Sequence, residues 1–495
     1  MKMPVPDEKI LARRLKIVQA LGQIVPGEGV IDSESERRVY ESDGLTAYRA
    51  LPLVVVLPET TGQVAEVLRY CHSSGIKVVP RGAGTSLSGG ALPLEDGIVL
   101  GLGKFKRIVE IDAPNRCAVV QPGVTNLAIT QAVESLGLYY APDPSSQIAC
   151  TIGGNVAENS GGVHCLKYGL TTHNVIGIEM VTMDGEILRL GGKHYDAANY
   201  DLLGVMVGSE GLLGVVTEVT VRLLPKASTA RALLIGLPSI EQAGDCVAAI
   251  IAAGIIPAGM EMMDRLAVEA AEAFVHASYP LDAEALLIVE LDGCAAEVDH
   301  LVDVVHEIAL THGATSCRRS ENDIERLLFW AGRKAAFPAV GRLAPDYYCM
   351  DGTIPRKRIG EVLKRIQELA ARYRLPVANV FHAGDGNLHP LILYDANNPG
   401  ELHRAEALGN DILRLCVQVG GVLTGEHGVG VEKRDLMNVM FTETDLEQQQ
   451  RLKCAFDADS LLNPGKMFPQ LCRCAELGRV HVHAGQHRFP DLPRF

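Results

Sequence analysis

Three glycine-dense stretches, all before residue 220, constrain this chain more than any other feature of its 495 residues. The first is Pro80-Arg81-Gly82-Ala83-Gly84-Thr85-Ser86-Leu87-Ser88-Gly89-Gly90. The second runs Ile152-Gly153-Gly154-Asn155-Val156-Ala157-Glu158-Asn159-Ser160-Gly161-Gly162, and the third Val207-Gly208-Ser209-Glu210-Gly211-Leu212-Leu213-Gly214. Glycine loops at strand ends present consecutive backbone N–H groups to phosphate oxygens. A β-branched run at 53–57 precedes helical spacing of Val64, Val67, Leu68 and Cys71 through 62–74, and a strand at 77–79 leads into the first loop. That order is βαβ-like. The loop is not a Walker A sequence, because no Gly-Lys-Ser/Thr follows. Nor is it G-x-G-x-x-G, since Gly89 comes two positions too late, which disfavours a nicotinamide dinucleotide.

Bulk properties narrow the class. Hydrophobic residues at 47% and charged residues at 21% describe a soluble globular chain, with length for about three domains. A formal net charge of −14 argues against a nucleic-acid partner, although a few local arginines can still serve a small anion. The 12 cysteines include no C-x-x-C pair, so neither a disulfide framework nor an iron–sulfur run is expected. Reduced thiols in a cytoplasmic protein are the simplest reading. Arg13, Arg14 and Lys16 interrupt the only candidate secretory signal, and Ile10, Leu15, Val18 and Leu21 are spaced instead as one helix face. The longest apolar run, about 246–260, contains Pro257 and is too short to span a bilayer, so membrane attachment is expected only through a partner.

The pattern changes near Pro225. Strands at 232–237 and 286–291 alternate with amphipathic helices around 298–308 and 359–373, an α+β arrangement, and 402–467 reads as mainly helical around one glycine-rich turn. The expected division is an N-terminal helical segment (1–47), a ligand-binding domain (48–226), a substrate or cap domain (227–420), a helical segment completing the active site (421–470) and a tail (471–495). The tail's Cys472, Cys474, His481, His483 and His487 read as incidental residues rather than a docking or metal-binding segment.

Chemistry concentrates in the second half. Phe381-His382-Ala383-Gly384-Asp385-Gly386-Asn387-Leu388-His389 reads as a strand at 377–381, a Gly-Asp-Gly-Asn turn and a return strand at 388–394. Such a hairpin lets both imidazoles converge, where the plain alternative is two surface turn histidines. Leu423-Thr424-Gly425-Glu426-His427-Gly428-Val429-Gly430 adds a Glu-His pair inside glycines, poorly suited to packing a core. Two histidines and a carboxylate suit Zn²⁺, Mn²⁺ or Fe²⁺ with an open position. Adjacent side chains diverge, so Glu426 is expected to ligate and His427 to act as base. Arg333, near the only tryptophan (Trp330), is either a surface helix residue or a bidentate carboxylate anchor.

The wording of the glycine loops resembles the FAD-binding domain of the vanillyl-alcohol oxidase (PCMH-type) flavoprotein superfamily. The resemblance implies Arg81, Gly82, Gly84, Thr85, Ser86 and Gly89 around the diphosphate of FAD. It places Pro144, Ser145, Gly153, Gly154, Asn159 and Gly161 along the flavin, and Glu210, Gly211 and Gly214 near the adenosine half. The first loop has no histidine, so the FAD is expected to be non-covalent. The segments 330–338, 345–352 and 381–389, with Leu462-Asn463-Pro464-Gly465-Lys466, resemble the catalytic half of metal-dependent D-2-hydroxy acid dehydrogenases, nearest to the FAD-linked subunits of glycolate oxidases. That resemblance, covering about 40–470, implies a PCMH-type FAD-binding domain followed by an FAD-linked oxidase C-terminal domain. His382, His389 and Glu426 are implied as metal ligands, His427 as base, Arg333 as carboxylate anchor and Asn463 as a further cofactor contact.

The implied reaction carries hydride from C2 of a small 2-hydroxy acid to flavin N5. Partner subunits, one flavoprotein-like and one iron–sulfur, are implied for passing electrons on. Related D-2-hydroxyglutarate enzymes place an asparagine and a threonine where this chain has Leu391 and Phe337. Losing two hydrogen-bonding groups disfavours a dicarboxylate and favours glycolate or D-lactate. A stand-alone D-lactate dehydrogenase and a non-catalytic flavin-binding subunit are the competing readings.

Overall fold

The protein, seen in a computed structural model, is described over residues 3–194 and 200–469. The β-branched run becomes the buried strand Val54–Val56, and the helix Thr61–Ser74 that follows is stopped by Gly75 in the left-handed region. Strand Lys77–Arg81 then runs in the same direction, but the two strands do not touch. Gly97–Gly101 lies between them and pairs in parallel with both. The first glycine loop therefore leaves the C-terminal end of an edge strand, where open α/β sheets bind ligands.

A five-stranded antiparallel sheet follows, ordered Ile108–Asp112, Cys117–Val120, Val215–Arg222, Val175–Val181 and Ile187–Gly191. The expected division at 226/227 falls between the short strand Leu224–Pro225 and the strand Thr229–Leu237.

The second half is built on a seven-stranded antiparallel sheet ordered Ser316–Arg319, Thr229–Leu237, Ala285–Gly293, Gly259–Asp264, Val377–Phe381, Pro390–Tyr394 and Asp346–Cys349. Its period-2 alternation feeds two cores. Leu233, Ile235 and Leu237 face the helices Ile240–Ala252, Ala295–Thr311, Ile359–Tyr373 and Glu401–Gln418. Ala232 and Leu234 face Arg265–Val275 and Asp323–Val340 on the other side. Covering both faces with helices accounts for the continuous apolar runs that marked these strands in the sequence.

The C-terminal segment returns to the first sheet. Leu462 bridges Val78 in parallel, with Val78 N–H donating to Leu461 O (2.8 Å) and Asn463 N–H to Val78 O (2.7 Å). Two expectations need correction or lie beyond reach. Leu15 is 77% exposed, because the N-terminal helix breaks at Ala12-Arg13 and restarts as Arg14–Ile24, which shifts the buried phase to Ile17 and Leu21. Cys472, Cys474, His481, His483 and His487 lie outside the described residues. Among the described residues, no helix is long and apolar enough to cross a membrane.

Candidate active site

A cavity of about 630 Å³ joins the glycine loops to the seven-stranded sheet. Arg81, Gly82, Gly84, Thr85 and Ser86 line it from the first loop, and Pro144, Ser145, Gly153 and Gly154 from the second region. Glu210, Gly211 and Gly214 line it from the third. At its other end stand Arg333, His382, His389, Glu426 and His427. Its size lies within the range of ordinary cofactor and ligand pockets.

The loops are held by specific contacts. Arg81 donates to Ser42 O (2.7 Å) and folds inside its own loop, so a Cβ at Gly84 would meet Arg81 Nη2 at 2.1 Å. Gly84 has φ +74, a conformation that favours glycine, and its missing side chain makes room for that guanidinium. The cavity wall built from Gly82, Gly84, Gly153, Gly154, Gly211 and Gly214 fits a dinucleotide.

Four of the expected cofactor contacts stand behind the lining instead. Gly89 faces Val431, and Asn159 caps the helix Ile152–Glu158, accepting from Thr172 N–H at 2.9 Å. Gly161 N–H donates to Glu426 Oε2 (3.0 Å), and Asn463 donates to Gly90 O (3.1 Å) and Glu210 O (2.7 Å). The Glu210 side chain is likewise committed to protein, accepting from Val429 and Gly430 N–H, both at 2.7 Å. The polar groups of Asn159, Gly161, Asn463 and Glu210 thus tie the glycine loops to other elements, whereas Gly89 packs on an apolar side chain.

The hairpin forms over the expected residues, with one departure. Strand Val377–Phe381 pairs with Pro390–Tyr394, and His382 bridges Asn387 around Gly386 (φ +83). The return strand is interrupted at His389, because Asn387–Leu388 turns aside to pair with Gly352–Thr353. The interruption sets the His382 and His389 rings 5.1 Å apart and edge to face. Glu426 Oε1 lies 3.2 Å from His382 Nε2 and 2.9 Å from His389 Nε2. The donor atoms of these three residues all lie within 4.8 Å of one another. His427 stacks on His389 with centroids 5.0 Å apart, and its buried Nδ1 has no partner among the described residues.

Two buried carboxylates that carried no role in the sequence organise this end. Asp351 accepts from the N–H groups of Gly425 (3.1 Å), Glu426 (3.2 Å) and His427 (2.9 Å), and from Lys433 Nζ (3.1 Å). It thereby fixes the bend that presents Glu426 and His427. Burial would raise the Asp351 carboxyl, but Lys433, His427 and His389 outweigh it and hold the group well below the usual carboxylate range. Glu261, 1% exposed, accepts from His382 Nδ1 (2.6 Å) and Arg333 Nε (2.7 Å). An acid between Met260 and Met262, inside a buried strand whose only other acid is the terminal Asp264, was the available signal. Burial lowers the His427 imidazole to about 4, so the ring is uncharged near neutrality.

Comparison with known proteins bears on this arrangement. Residues 52–191 match the FAD binding domain family, and 226–467 match the FAD linked oxidases C-terminal domain family. The glycolate oxidase subunit GlcD of Escherichia coli (strain K12) is 57% identical over 482 residues, 97% of both chains. The chain belongs to the GlcD family of FAD-linked oxidases. The GlcD of Bacillus subtilis (strain 168) is 40% identical, covering 92% of this chain and 97% of that one. A D-lactate dehydrogenase of Archaeoglobus fulgidus is 35% identical, covering 88% of this chain and 96% of that one. Among solved structures, p-cresol methylhydroxylase with substrate bound superposes with a TM-score of 0.78 at 17% identity, over 93% of this chain and 97% of that one. At that identity the likeness speaks for the fold alone, which is the PCMH-type fold expected from the glycine loops. As a member of this family the chain is an FAD-linked oxidoreductase.

Proposed function

We propose that this chain oxidises a small 2-hydroxy acid to the 2-oxo acid, glycolate to glyoxylate foremost, as the catalytic subunit of a glycolate oxidase. One observation carries the reading: Arg333, His382, His389, Glu426 and His427 share a single cavity with the glycine loops. FAD supplies the two-electron acceptor, and a divalent cation (Zn²⁺, Mn²⁺ or Fe²⁺) on His382, His389 and Glu426 supplies a Lewis acid toward the substrate hydroxyl. A second donor set, Cys349 with His389 and His427, is as compact. Burial raises the Cys349 thiol, however, which works against the thiolate a metal needs.

The chain's own groups then divide the work. Arg333 spends Nε on Glu261 and turns its remaining edge to the substrate carboxylate. His427, held by its backbone to Asp351 rather than by its ring, takes the hydroxyl proton. Phe337 and Tyr347, edge to face at 5.9 Å, wall the same cavity with apolar surface. Leu391 is packed wholly in the core and offers nothing to a second carboxylate. Both features favour a short monocarboxylate over a dicarboxylate.

D-Lactate dehydrogenases among the relatives keep a second reading open, a stand-alone D-lactate dehydrogenase. The relatives' description as a subunit supports partner chains, which we read as one flavoprotein-like and one iron–sulfur, the chain being cytoplasmic and reaching the membrane only through them. The purified flavoprotein, assayed with glycolate, D-lactate and D-2-hydroxyglutarate and an artificial dye, separates these. Chelation is expected to lower dye-linked glycolate oxidation roughly 100-fold, with the flavin spectrum retained and activity restored by Zn²⁺ or Mn²⁺. Full activity in a chelated, demonstrably metal-free sample would remove the metal from the reading.

A further inference from the structure

We propose that Glu261 is a positioning residue whose two carboxylate oxygens fix both the ring tautomer of His382 and the plane of the Arg333 guanidinium. The inference rests on the reading above, in which His382 ligates a cation and Arg333 holds the substrate carboxylate.

Glu261 sits on Gly259–Asp264, a central strand with neighbours on both sides, where its Cα faces Ile288 in register. An acid in such a place is costly unless every charge is met. One oxygen, Oε1, accepts from His382 Nδ1 at 2.6 Å, and the other, Oε2, from Arg333 Nε at 2.7 Å. Both contacts span elements far apart in sequence: the helix Asp323–Val340 and the residue following the strand Val377–Phe381.

The chemistry follows from the donor inventory. A carboxylate only accepts, so His382 carries a proton on Nδ1, and with the cation of the proposed reading in place Nε2 is left to offer its lone pair on the side of Glu426. Metal-ligating histidines commonly depend on such a partner for orientation and basicity. Arg333 has a rigid planar fork, so engaging Nε fixes the direction of the two Nη groups. A salt bridge serving stability alone would need only one of these partners. Sharing one carboxylate between both ties the distance from cation to carboxylate anchor to a single side chain on a sheet strand.

The test is Glu261→Gln in the full-length, FAD-loaded chain, with three readouts: flavin absorbance, Zn²⁺ affinity by chelator competition, and kcat and KM for glycolate with a dye acceptor. The amide can keep one of the two hydrogen bonds but not both in their present polarity. We expect the Zn²⁺ dissociation constant to rise about 10- to 100-fold. KM should rise together with it while flavin is retained. Wild-type Zn²⁺ affinity and wild-type KM in a flavin-loaded E261Q protein would overturn the proposal, because that is the behaviour of a merely structural carboxylate. His382→Ala, run alongside, separates the levels. Zn²⁺ lost from H382A but held normally by E261Q sinks this inference alone, whereas Zn²⁺ held normally by both sinks the metal reading with it. Should E261Q fail to keep flavin, Glu261→Asp, which retains the charge but falls short of both partners, carries the same expectations.

Discussion

Replacing His427 with alanine is expected to leave a yellow, metal-loaded protein that oxidises glycolate about 10²- to 10⁴-fold more slowly. The separation of effects follows from how the residue is held. Its backbone N–H is anchored on Asp351 at 2.9 Å, and Gly425 and Glu426 hang from the same carboxylate, so the bend survives loss of the ring. The ring stacks on His389 without replacing it among the donors grouped around Glu426 Oε1. What disappears is an imidazole that burial keeps uncharged near neutrality and whose Nδ1 has no partner among the described residues. Rapid-mixing measurement of flavin bleaching by glycolate, with metal analysis of the same sample, checks this. Bleaching at the wild-type rate would move the base elsewhere.

Asp351→Asn is expected to cost about 3 kcal/mol of stability, because it removes the nearer of the two carboxylates that meet the buried Lys433 charge, Asp351 at 3.1 Å and Glu432 at 3.6 Å. Neither Asp351 nor Lys433 has measurable side-chain exposure, so water cannot compensate. The variant also loses an acceptor for the bend that carries Glu426 and His427, and activity should fall with stability. The pH dependence has a definite sign. Asp351 titrates below its unfolded value, so its contribution is complete above the ordinary aspartate pKa of about 4 and is lost as pH falls further. The gap between wild type and D351N in chemical denaturation should therefore be widest near neutrality and close on acidification. A gap that stays constant down to pH 3 would show that the charge is not what matters.

The fold and half of the site were readable because their signals are local. The glycine loops, the β-branched runs and the Gly-Asp-Gly-Asn turn each act over a few residues, and the strand at 377–381 forms where its pattern placed it. Glu426 was a candidate from its glycine-flanked place beside His427 and from the family resemblance, since no local pattern says that its bend meets a hairpin roughly forty residues away. Glu261 and Asp351 were overlooked for the same reason. A carboxylate reaching residues 121 and 72 positions away has no local signature beyond being out of place in an apolar strand. The converse also occurred. Gly161, Asn159 and Asn463 stand inside motifs that promise ligand contact, yet they are spent on Glu426, Thr172 and the glycine-loop carbonyls. Motif wording marks a neighbourhood, and only packing decides which atom faces the cavity.

The central claim is that two hairpin imidazoles and one distant carboxylate hold a cation beside the flavin. Manganese loading followed by electron paramagnetic resonance, in the wild type and in H382A, H389A and E426Q, tests it most directly. The account predicts one tightly held Mn²⁺ per FAD in the wild type and its loss from each variant while the flavin spectrum persists. Variants that bind Mn²⁺ as the wild type does, or a wild type that binds none, would contradict it.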